Sequence, residues 1–352
     1  MLALAPRLGA RLVWGLIALG LVAFAVAPVL LSHDVYSYVD YARLGVVHGL
    51  DPYVHAPDAV PTDPAYAEVT WTEATSAYGP LFTLATYPLA WLPVGLAVAL
   101  LKGVAALSVG GLALVVARIA AWRGVDPLRA AALVALNPLV LVHVVGGAHN
   151  DGLTMLLAML AVAALLSGRE LAAGAAFVAA FAIKASAIVV APFALVASGR
   201  SQPASGRKRR LGLLLAGAAG AALAIAAAAS LAFGWDWTGA FGLAGENQDR
   251  TSYMSIPITF SRLTGLDPDP VRAAALVLYG AAVVYLLART WRGLDWVRAA
   301  AWASFGLLLA TAWLLPWYLI WALPLAAIAR DRPLQLLTLA LTAYQLGARS
   351  PL

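Results

Sequence analysis

The stretch LVWGLIALGLVAFAVAPVLL, residues 12–31, decides the class of fold. None of its 20 residues carries a charged or amide side chain, and a helix of about 20 apolar residues crosses the roughly 30 Å hydrocarbon core of a membrane. Arg7 and Arg11 precede the stretch, and no small-residue cleavage site separates it from the polar sequence that follows. We therefore predict a retained span, not a cleaved signal peptide, with a cytoplasmic amino end.

Similar apolar runs recur along all 352 residues, of which 62% are hydrophobic and 11% charged, with a mean hydropathy of +0.84. Soluble domains are about 45 to 50% apolar and about 25% charged. The composition therefore excludes a soluble enzyme. We predict a single all-α polytopic membrane domain over residues 1–352, with about eleven spans and no internal repeat.

Two long polar segments are predicted to lie outside the membrane on one side. Residues 32–77 hold seven acidic residues and one basic residue, Arg43, and segments poor in Lys and Arg are typically exterior. The apolar piece 80–93 is too short to cross and is expected to be an interfacial helix. We therefore assign residues 32–93 to a first exterior loop and residues 234–270 to a second one.

Two apolar runs have basic residues at both ends, which conflicts with a simple crossing. We predict that residues 171–197 form a hairpin of short helices turning near Lys184, and that residues 299–328 form another, turning near residues 316–318. Residues 130–145 are expected to form one ordinary span.

The net charge of +6 comes from 23 Lys and Arg against 17 Asp and Glu. The excess basic charge falls in the predicted cytoplasmic loops, where it orients the bundle, so we expect no nucleic-acid partner.

The chain has no cysteine, which excludes disulfides and a thiol nucleophile. The five histidines lack HxxxH or HExxH spacing, and Asp267 and Asp269 flank a proline in a predicted turn. We expect no catalytic metal and no other cofactor.

The first polar cluster is HDVYSYVDY, residues 33–41, directly after the first span. On a helix Asp34 shares a face with two tyrosines of this run, and Tyr36 and Asp40 share another face with Arg43. A partly desolvated carboxylate is a stronger base and suits proton abstraction from a hydroxyl. Asp34 can equally be a helix-capping residue, and spacing leaves the two readings open.

The second cluster is GGAHND, residues 146–151, between two predicted spans. Asn150 or Asp151 can cap the following helix. Capping does not require His149, however, and three polar side chains at one helix entrance can hold sugar hydroxyls. Both interpretations remain open.

Two of the three lysines, Lys102 and Lys184, lie within apolar runs. Lys102 is near the outer end of its span, where snorkelling to the interface explains it. Lys184 falls at a hairpin turn, where it either snorkels or binds a lipid phosphate. Trp317 and Tyr318 lie at the other hairpin turn, where they either belong to an interfacial aromatic belt or stack on a sugar or a polyprenyl chain.

Several motifs occur in a fixed order: HDVYSYVDY (33–41), GLDPY (49–53), SAYGPLF (76–82), NPLVLVH (137–143) and GGAHND (146–151). Together they resemble the actinobacterial polyprenol-phosphate-mannose-dependent α-(1→6)-mannosyltransferases, which are GT-C fold glycosyltransferases related at a distance to family 87. Weaker similarity continues around Lys184 and residues 316–321.

The resemblance implies a multi-pass plasma-membrane enzyme of lipoglycan synthesis in the cell envelope, with its active site on the exterior face. Asp34 would be the general base that activates a glycan or glycolipid hydroxyl. That hydroxyl would attack a β-linked polyprenyl-phosphate mannose and form an α-linkage with inversion. Lys184, with Arg43 second, would stabilise the departing phosphate without a metal. The residues expected to bind sugar or acceptor are His33, Tyr36, Asp40, Tyr78, His149, Asn150, Asp151, Trp317 and Tyr318.

Two departures from the family pattern bear on the acceptor. The chain is shorter than the typical mannan-elongating members, and Asp151 stands where close relatives have Glu, which alters reach but not charge.

A polyprenyl-lipid transporter or flippase is the competing class, but it predicts ionisable residues in several spans and a two-fold repeat, which the sequence lacks. A non-catalytic GT-C relative is the other alternative, and it would not need Asp34.

Overall fold

A computed structural model of the protein describes residues 9–200, 204–246 and 250–347. These residues are mostly helical and contain no β-strand, which confirms the predicted all-α class. The α-helices, numbered in chain order, are α1 Ala10–Val26, α2 Asp34–Val46, α3 Pro80–Thr86, α4 Val94–Trp122, α5 Pro127–Ala135, α6 Asp151–Leu166, α7 Glu170–Phe181, α8 Ala191–Arg200, α9 Ala204–Phe233, α10 Gly239–Glu246, α11 Ile256–Thr264, α12 Pro268–Trp291, α13 Trp296–Ala310, α14 Leu323–Ile328 and α15 Arg332–Gly347.

Short helical segments of other types connect several of these helices. Val140–Val145 is a π-helix, and the remaining short segments are 3₁₀ turns at Pro57–Ala59, Tyr66–Glu68, Tyr87–Leu89, Ala185–Val190, Asp236–Thr238 and Pro316–Trp321.

Three helical stretches among the described residues are long and apolar enough to cross a membrane: α4, residues Gly206–Phe233 of α9, and α12. Half of the most apolar stretch of α4 is buried, whereas none of that of α12 is. The first is therefore a central helix, packed by α1, α5 and α6, and the second is peripheral. Shorter apolar helical stretches of 10–17 residues are Ala10–Val26, Asp151–Leu166, Glu170–Phe181, Ala185–Arg200, Trp296–Ala310 and Pro316–Ile328.

The run expected to form one span over residues 130–145 is instead broken in the middle. Helix α5 ends at Ala135, and Pro138, which has no amide hydrogen to donate, follows Asn137. The Asn137 side chain accepts a hydrogen bond from the Leu139 amide at 3.0 Å and donates one to the Thr342 hydroxyl at 3.0 Å. The Leu139 amide exposed by the break and the Asn137 side chain are thus both satisfied within the bundle.

Both predicted hairpin turns are breaks in helical structure, and both face the same end of the bundle. Lys184 has extended backbone angles (φ −154°, ψ 130°) between α7 and the following 3₁₀ turn. Its ammonium and the indole of Trp321 both reach Asp151, the first residue of α6. We call this end, defined by Asp34, Asp151, Lys184 and Trp321, the site end.

The opposite, basic end is defined by ion pairs near the starts of α7 and α13 and near the ends of α4 and α14. Arg210 pairs with Glu170 at 3.0 Å, Arg298 pairs with Asp331 at 2.7 Å, and Arg123 pairs with Asp295.

Lys102 does not snorkel, which corrects the expectation from its position. Its side chain is 3% exposed, and its ammonium donates hydrogen bonds to the carbonyl oxygens of Ala27 and, at 2.9 Å, Pro28. These carbonyls lie just past the end of α1, where helix carbonyls lack partners within the helix. The lysine of α4 therefore fixes the chain that leads from α1 towards α2.

Candidate active site

A cavity of about 170 Å³ lies at the site end of the bundle. Its walls come from the start of α2, the loop before α3, the Lys184 break and the segment around Pro316–Trp321. Its lining residues are Asp34, Ser37, Tyr41, Trp71, Ala74, Thr75, Ala77, Tyr78, Lys184, Arg250, Trp313, Leu315, Trp317 and Tyr318.

Asp34 is the first residue of α2, and its carboxylate faces this cavity. Ser32, not Asp34, accepts the hydrogen bond from the first turn, because its Oγ lies 3.4 Å from the Asp34 amide nitrogen. Burial raises the pKa of the Asp34 carboxyl above its ordinary value, although the positive charge of Lys184 and hydrogen bonds from Ser32 and Trp71 oppose the shift. The result is a carboxylate that is more basic than one in water.

His149 lies directly behind Asp34. Its Nδ1 is 3.6 Å from Asp34 Oδ2, and its ring stacks on Trp317 with a centroid distance of 3.8 Å and an interplanar angle of 19°. Burial holds the pKa of His149 well below its ordinary value, so the imidazole is neutral. A neutral, stacked ring leaves Asp34 without a strong cationic partner on this side, which preserves its basicity.

Lys184 and Asp151 form a buried ion pair on another wall of the cavity. Lys184 Nζ lies 2.8 Å from Asp151 Oδ2, and the Trp321 indole donates a hydrogen bond to Asp151 Oδ1 at 2.6 Å. The Asp151 side chain is 0% exposed and that of Lys184 is 18% exposed. The ammonium also lies 5.4 Å from the ring centroid of Tyr318. Lys184 therefore presents a fixed positive charge to the cavity, held from behind by a carboxylate.

The motif around Tyr78 and Gly79 positions Lys184. The Gly79 amide donates a hydrogen bond to the Ile183 carbonyl at 3.0 Å, and the Leu81 amide donates to the Ala182 carbonyl at 3.1 Å. A Cβ on Gly79 would lie 2.2 Å from the Ala182 carbonyl oxygen, so only glycine allows this approach. The loop before α3 thus holds the chain at the two residues that precede Lys184.

Arg43 and Asp40 are not in the cavity. Arg43 Nε lies 2.8 Å and 3.0 Å from the two carboxylate oxygens of Asp63, and its Nη1 donates to the Ala90 carbonyl at 2.7 Å. His48 Nε2 also contacts Asp63, at 2.7 Å. Asp40 lies buried beside this cluster, and burial together with the charge of Asp63 raises its pKa to about 7. These groups tie the segment between α2 and α4 to α2, and none of them lines the cavity that Lys184 lines.

The other sequence-predicted residues divide between the cavity and its surroundings. Tyr78, Trp317 and Tyr318 line the cavity. His33 and Tyr36 contact each other outside its lining, with ring centroids 5.4 Å apart, and His33 Nδ1 lies 3.0 Å from the Glu68 carbonyl oxygen. Asn150 is buried beside His149, and neither polar atom of its side chain has a hydrogen-bond partner among the described residues.

Arg250 is a cavity residue that the sequence did not indicate. Its guanidinium lies 4.9 Å from the ring centroid of Trp71, which in turn contacts Trp313 at 6.5 Å. Next to the cavity lies an outer crevice of about 540 Å³, and the two share Trp71, Ala74, Thr75, Ala77 and Arg250. The shared residues form a partition between the two. The only sequence signal for Arg250 was a basic residue in the second exterior loop, with no motif around it.

Comparison with known proteins adds a family assignment. A family model described as "Alpha-(1->6)-mannopyranosyltransferase, N-terminal domain" matches residues 2–200. Alpha-(1->6)-mannopyranosyltransferase A of Mycobacterium tuberculosis is 34% identical over 170 residues, which are 45% of this chain and 32% of the relative. The protein of the same name from Corynebacterium glutamicum is 31% identical over 165 residues, which are 45% of this chain and 33% of the relative. The matched region thus covers about a third of the length of these relatives. No solved structure gives a significant match.

Proposed function

The chain belongs to the alpha-(1->6)-mannopyranosyltransferase family, as its motifs predicted, and we propose that it transfers mannose from a polyprenyl-phosphate donor to a hydroxyl of a glycan or glycolipid. The cavity at the site end supports this proposal, because it brings a basic carboxylate and a fixed cation together beside aromatic rings. A carboxylate can take the proton of an attacking hydroxyl, and a cation can stabilise a departing phosphate.

In the proposed reaction Asp34 removes the proton from the acceptor hydroxyl as its oxygen attacks the anomeric carbon. The bond from that carbon to the phosphate oxygen breaks on the opposite face of the sugar. The β-linked donor thus gives an α-linked product, an α-(1→6) linkage by analogy with the family. The proton stays on Asp34, and the polyprenyl phosphate departs with the bonding electron pair.

Lys184 is proposed to bind the phosphate as negative charge develops on it, and the Arg250 guanidinium supplies a second positive charge at the cavity wall. These two cations replace the divalent ion that many phosphate-transferring sites use, so the reaction is proposed to proceed without a metal. Asp151 orients the Lys184 ammonium through their 2.8 Å contact. Trp317 and Tyr318 offer ring faces on which the sugar can stack.

The polyprenyl chain of the donor is proposed to lie against α7, α8 and α9. An almost wholly apolar cavity of about 150 Å³ lies there, lined by residues that include Phe177, Phe181 and Leu195. Phe181 and Ala187, which also lines it, are three residues from Lys184 on either side. An isoprenoid chain leaving a phosphate at Lys184 would therefore enter an apolar surface of matching chemistry.

We further propose a GT-C type arrangement of about eleven spans in the plasma membrane, with a cytoplasmic amino end and the site end facing outward. The apolar helical stretches and the basic residues opposite the site end support this orientation. Under this topology both substrates reach Asp34 from the exterior face. The family's role in the cell envelope makes a lipoglycan precursor the proposed class of acceptor.

The observation that carries the proposal is the placement of Asp34, with its raised pKa, on the same cavity as Lys184. The test is transfer by the purified chain from a panel of polyprenyl-phosphate sugars, with the product linkage read by NMR. Asp34→Asn should lower the transfer rate by about 100- to 10,000-fold, the usual contribution of a general base.

Asp58→Asn is the matched control, because it removes an exposed carboxylate from the same loop and should leave the rate unchanged. Full activity of the Asp34→Asn variant would refute the mechanism. Movement of the lipid across a vesicle membrane without sugar transfer would instead support the transporter alternative.

A further inference from the structure

The basic end of the bundle holds two adjoining crevices that the proposed transfer reaction does not use. One, of about 560 Å³, is lined by Arg123, Asp295 and Arg330 together with residues at the ends of α4 and α6. The other, of about 590 Å³, is lined by Arg118 and Arg169 and by an apolar wall from α6 and α7. Trp122 and Ser167 line both, so the two crevices are continuous around the end of α4.

We propose that these crevices bind the head group of an anionic phospholipid, with an acyl chain lying along the apolar wall. The argument rests on three guanidinium groups that nothing in the described part of the chain neutralises. Arg118, Arg169 and Arg330 are exposed and line the crevices, and their guanidinium groups form no ion pair or hydrogen bond with a described residue. The guanidinium of Arg118 lies 5.4 Å from the ring centroid of Trp122.

Other arginines of the same end already have partners. Arg123 pairs with Asp295, Arg210 with Glu170 and Arg298 with Asp331. The three unpaired guanidinium groups together carry more positive charge than the half negative charge that each nearby helix end contributes. The crevices therefore attract anions. Guanidinium matches phosphate oxygens in geometry as well as charge.

The crevice that holds Arg118 and Arg169 is also shaped for a lipid. Its wall consists of Leu160 and four alanines of α6 and α7, and Trp122 at its rim is 48% exposed. Small side chains leave a trough along the two helices, and an exposed tryptophan beside arginines is typical of the membrane interface. A phosphate beside basic side chains with an apolar trough beneath it fits a phospholipid better than a soluble anion.

The backbone at Arg330 provides an independent indication. Its φ of +57° lies in the left-handed region, which is sterically unfavourable for a non-glycine residue. Glycine takes this conformation without strain and is the usual residue where a helix such as α14 ends. The chain instead has an arginine there, and its side chain lines the crevice. Binding of an anion by this side chain explains why the strained position holds an arginine and not a glycine.

Native mass spectrometry of the full chain, exchanged into detergent with equimolar phosphatidylglycerol and phosphatidylcholine, tests the proposal. The wild-type chain should retain phosphatidylglycerol preferentially. Arg118→Ala and Arg169→Ala should each weaken its retention about fivefold. Arg330→Gly should weaken it similarly while keeping or raising the thermal midpoint, because glycine relieves the positive φ, so loss of folding cannot explain the result.

Arg209→Ala is the control, since Arg209 is an exposed arginine of α9 that does not line either crevice. Equal retention of the two lipids by the wild-type chain would overturn the proposal, as would undiminished retention by the Arg118→Ala/Arg169→Ala/Arg330→Gly variant. An Arg209→Ala variant as weak as Arg169→Ala would overturn it in favour of a diffuse basic surface. Glycerol phosphate that competes as well as the whole lipid would overturn it in favour of a soluble phosphate compound.

Discussion

Replacement of Lys184 by methionine should separate the structural and the substrate-binding roles of this residue. The Asp151 carboxylate is 0% exposed, and without Lys184 it keeps only the hydrogen bond from Trp321. Removing one partner of a buried pair costs about 3 to 5 kcal/mol. Because Lys184 is itself 18% exposed and water can reach it, we expect a loss near the lower end, about 3 kcal/mol.

The same substitution should weaken donor binding through a different cause. A hydrogen bond to a charged group contributes about 1.5 to 3 kcal/mol, so loss of the ammonium from the phosphate predicts roughly ten- to hundredfold weaker binding of polyprenyl-phosphate mannose. Adding Asp151→Asn separates the loss of stability from the loss of donor affinity, because it removes the carboxylate that Lys184→Met leaves unpaired. In the Lys184→Met/Asp151→Asn double variant no uncompensated charge is buried, so stability should recover while donor affinity stays low.

The assay is thermal unfolding and donor binding measured on the same detergent samples, for the wild type, both single variants and the double variant. Lys208→Met, which removes an exposed lysine at the basic end, is the control and should change neither quantity. The reasoning is refuted if the double variant binds the donor as tightly as the wild type. Lys184 would then serve only as the counter-ion of Asp151.

Three further results follow from the geometry. Gly79→Ala should lower the thermal midpoint and donor affinity because its Cβ meets the Ala182 carbonyl, whereas Gly95→Ala, which meets nothing within 4 Å, should lower neither. The transfer rate should fall with decreasing pH through the raised pKa of Asp34, because only the carboxylate accepts a proton; a pH profile with its midpoint at the ordinary value of about 3.9 would contradict this. Asp40, whose pKa is raised to about 7, favours the folded state when protonated. Its contribution to stability is therefore complete below its unfolded pKa of about 3.9 and is lost as pH rises towards 7. Thermal midpoints from pH 4 to 8 should show this decline in the wild type and a smaller one in Asp40→Asn, and parallel curves would contradict it.

Features encoded locally in the sequence could be predicted well. The long apolar runs predicted the helical class, since periodicity and length are properties of one segment. Lys184 stood out because a lysine in an apolar run requires a partner, and the structure supplies Asp151. Asp34 stood out because it directly follows a span and lies in an aromatic motif.

Features that depend on long-range contacts could not be predicted. Arg43 was expected near a phosphate, but Asp63, 20 residues away in an irregular loop, holds it instead. Arg250 reaches the cavity through Trp71, from a different exterior loop, and no local pattern links the two. Lys102 was assigned to the interface from its position in α4 alone, although its partners are carbonyls at the end of another helix.

The hydrogen bonds from Lys102 to the chain after α1 tie the approach to Asp34 to the central helix α4. Asp34 follows a segment fixed to the central helix, and Lys184 is fixed by Asp151 and by the backbone around Gly79. Between the cavity and the outer crevice, the Trp71 ring contacts the Arg250 guanidinium and Trp313, and its indole hydrogen-bonds to Asp34. We expect the acceptor to reach Asp34 from the outer crevice, past the side chains of Trp71 and Arg250.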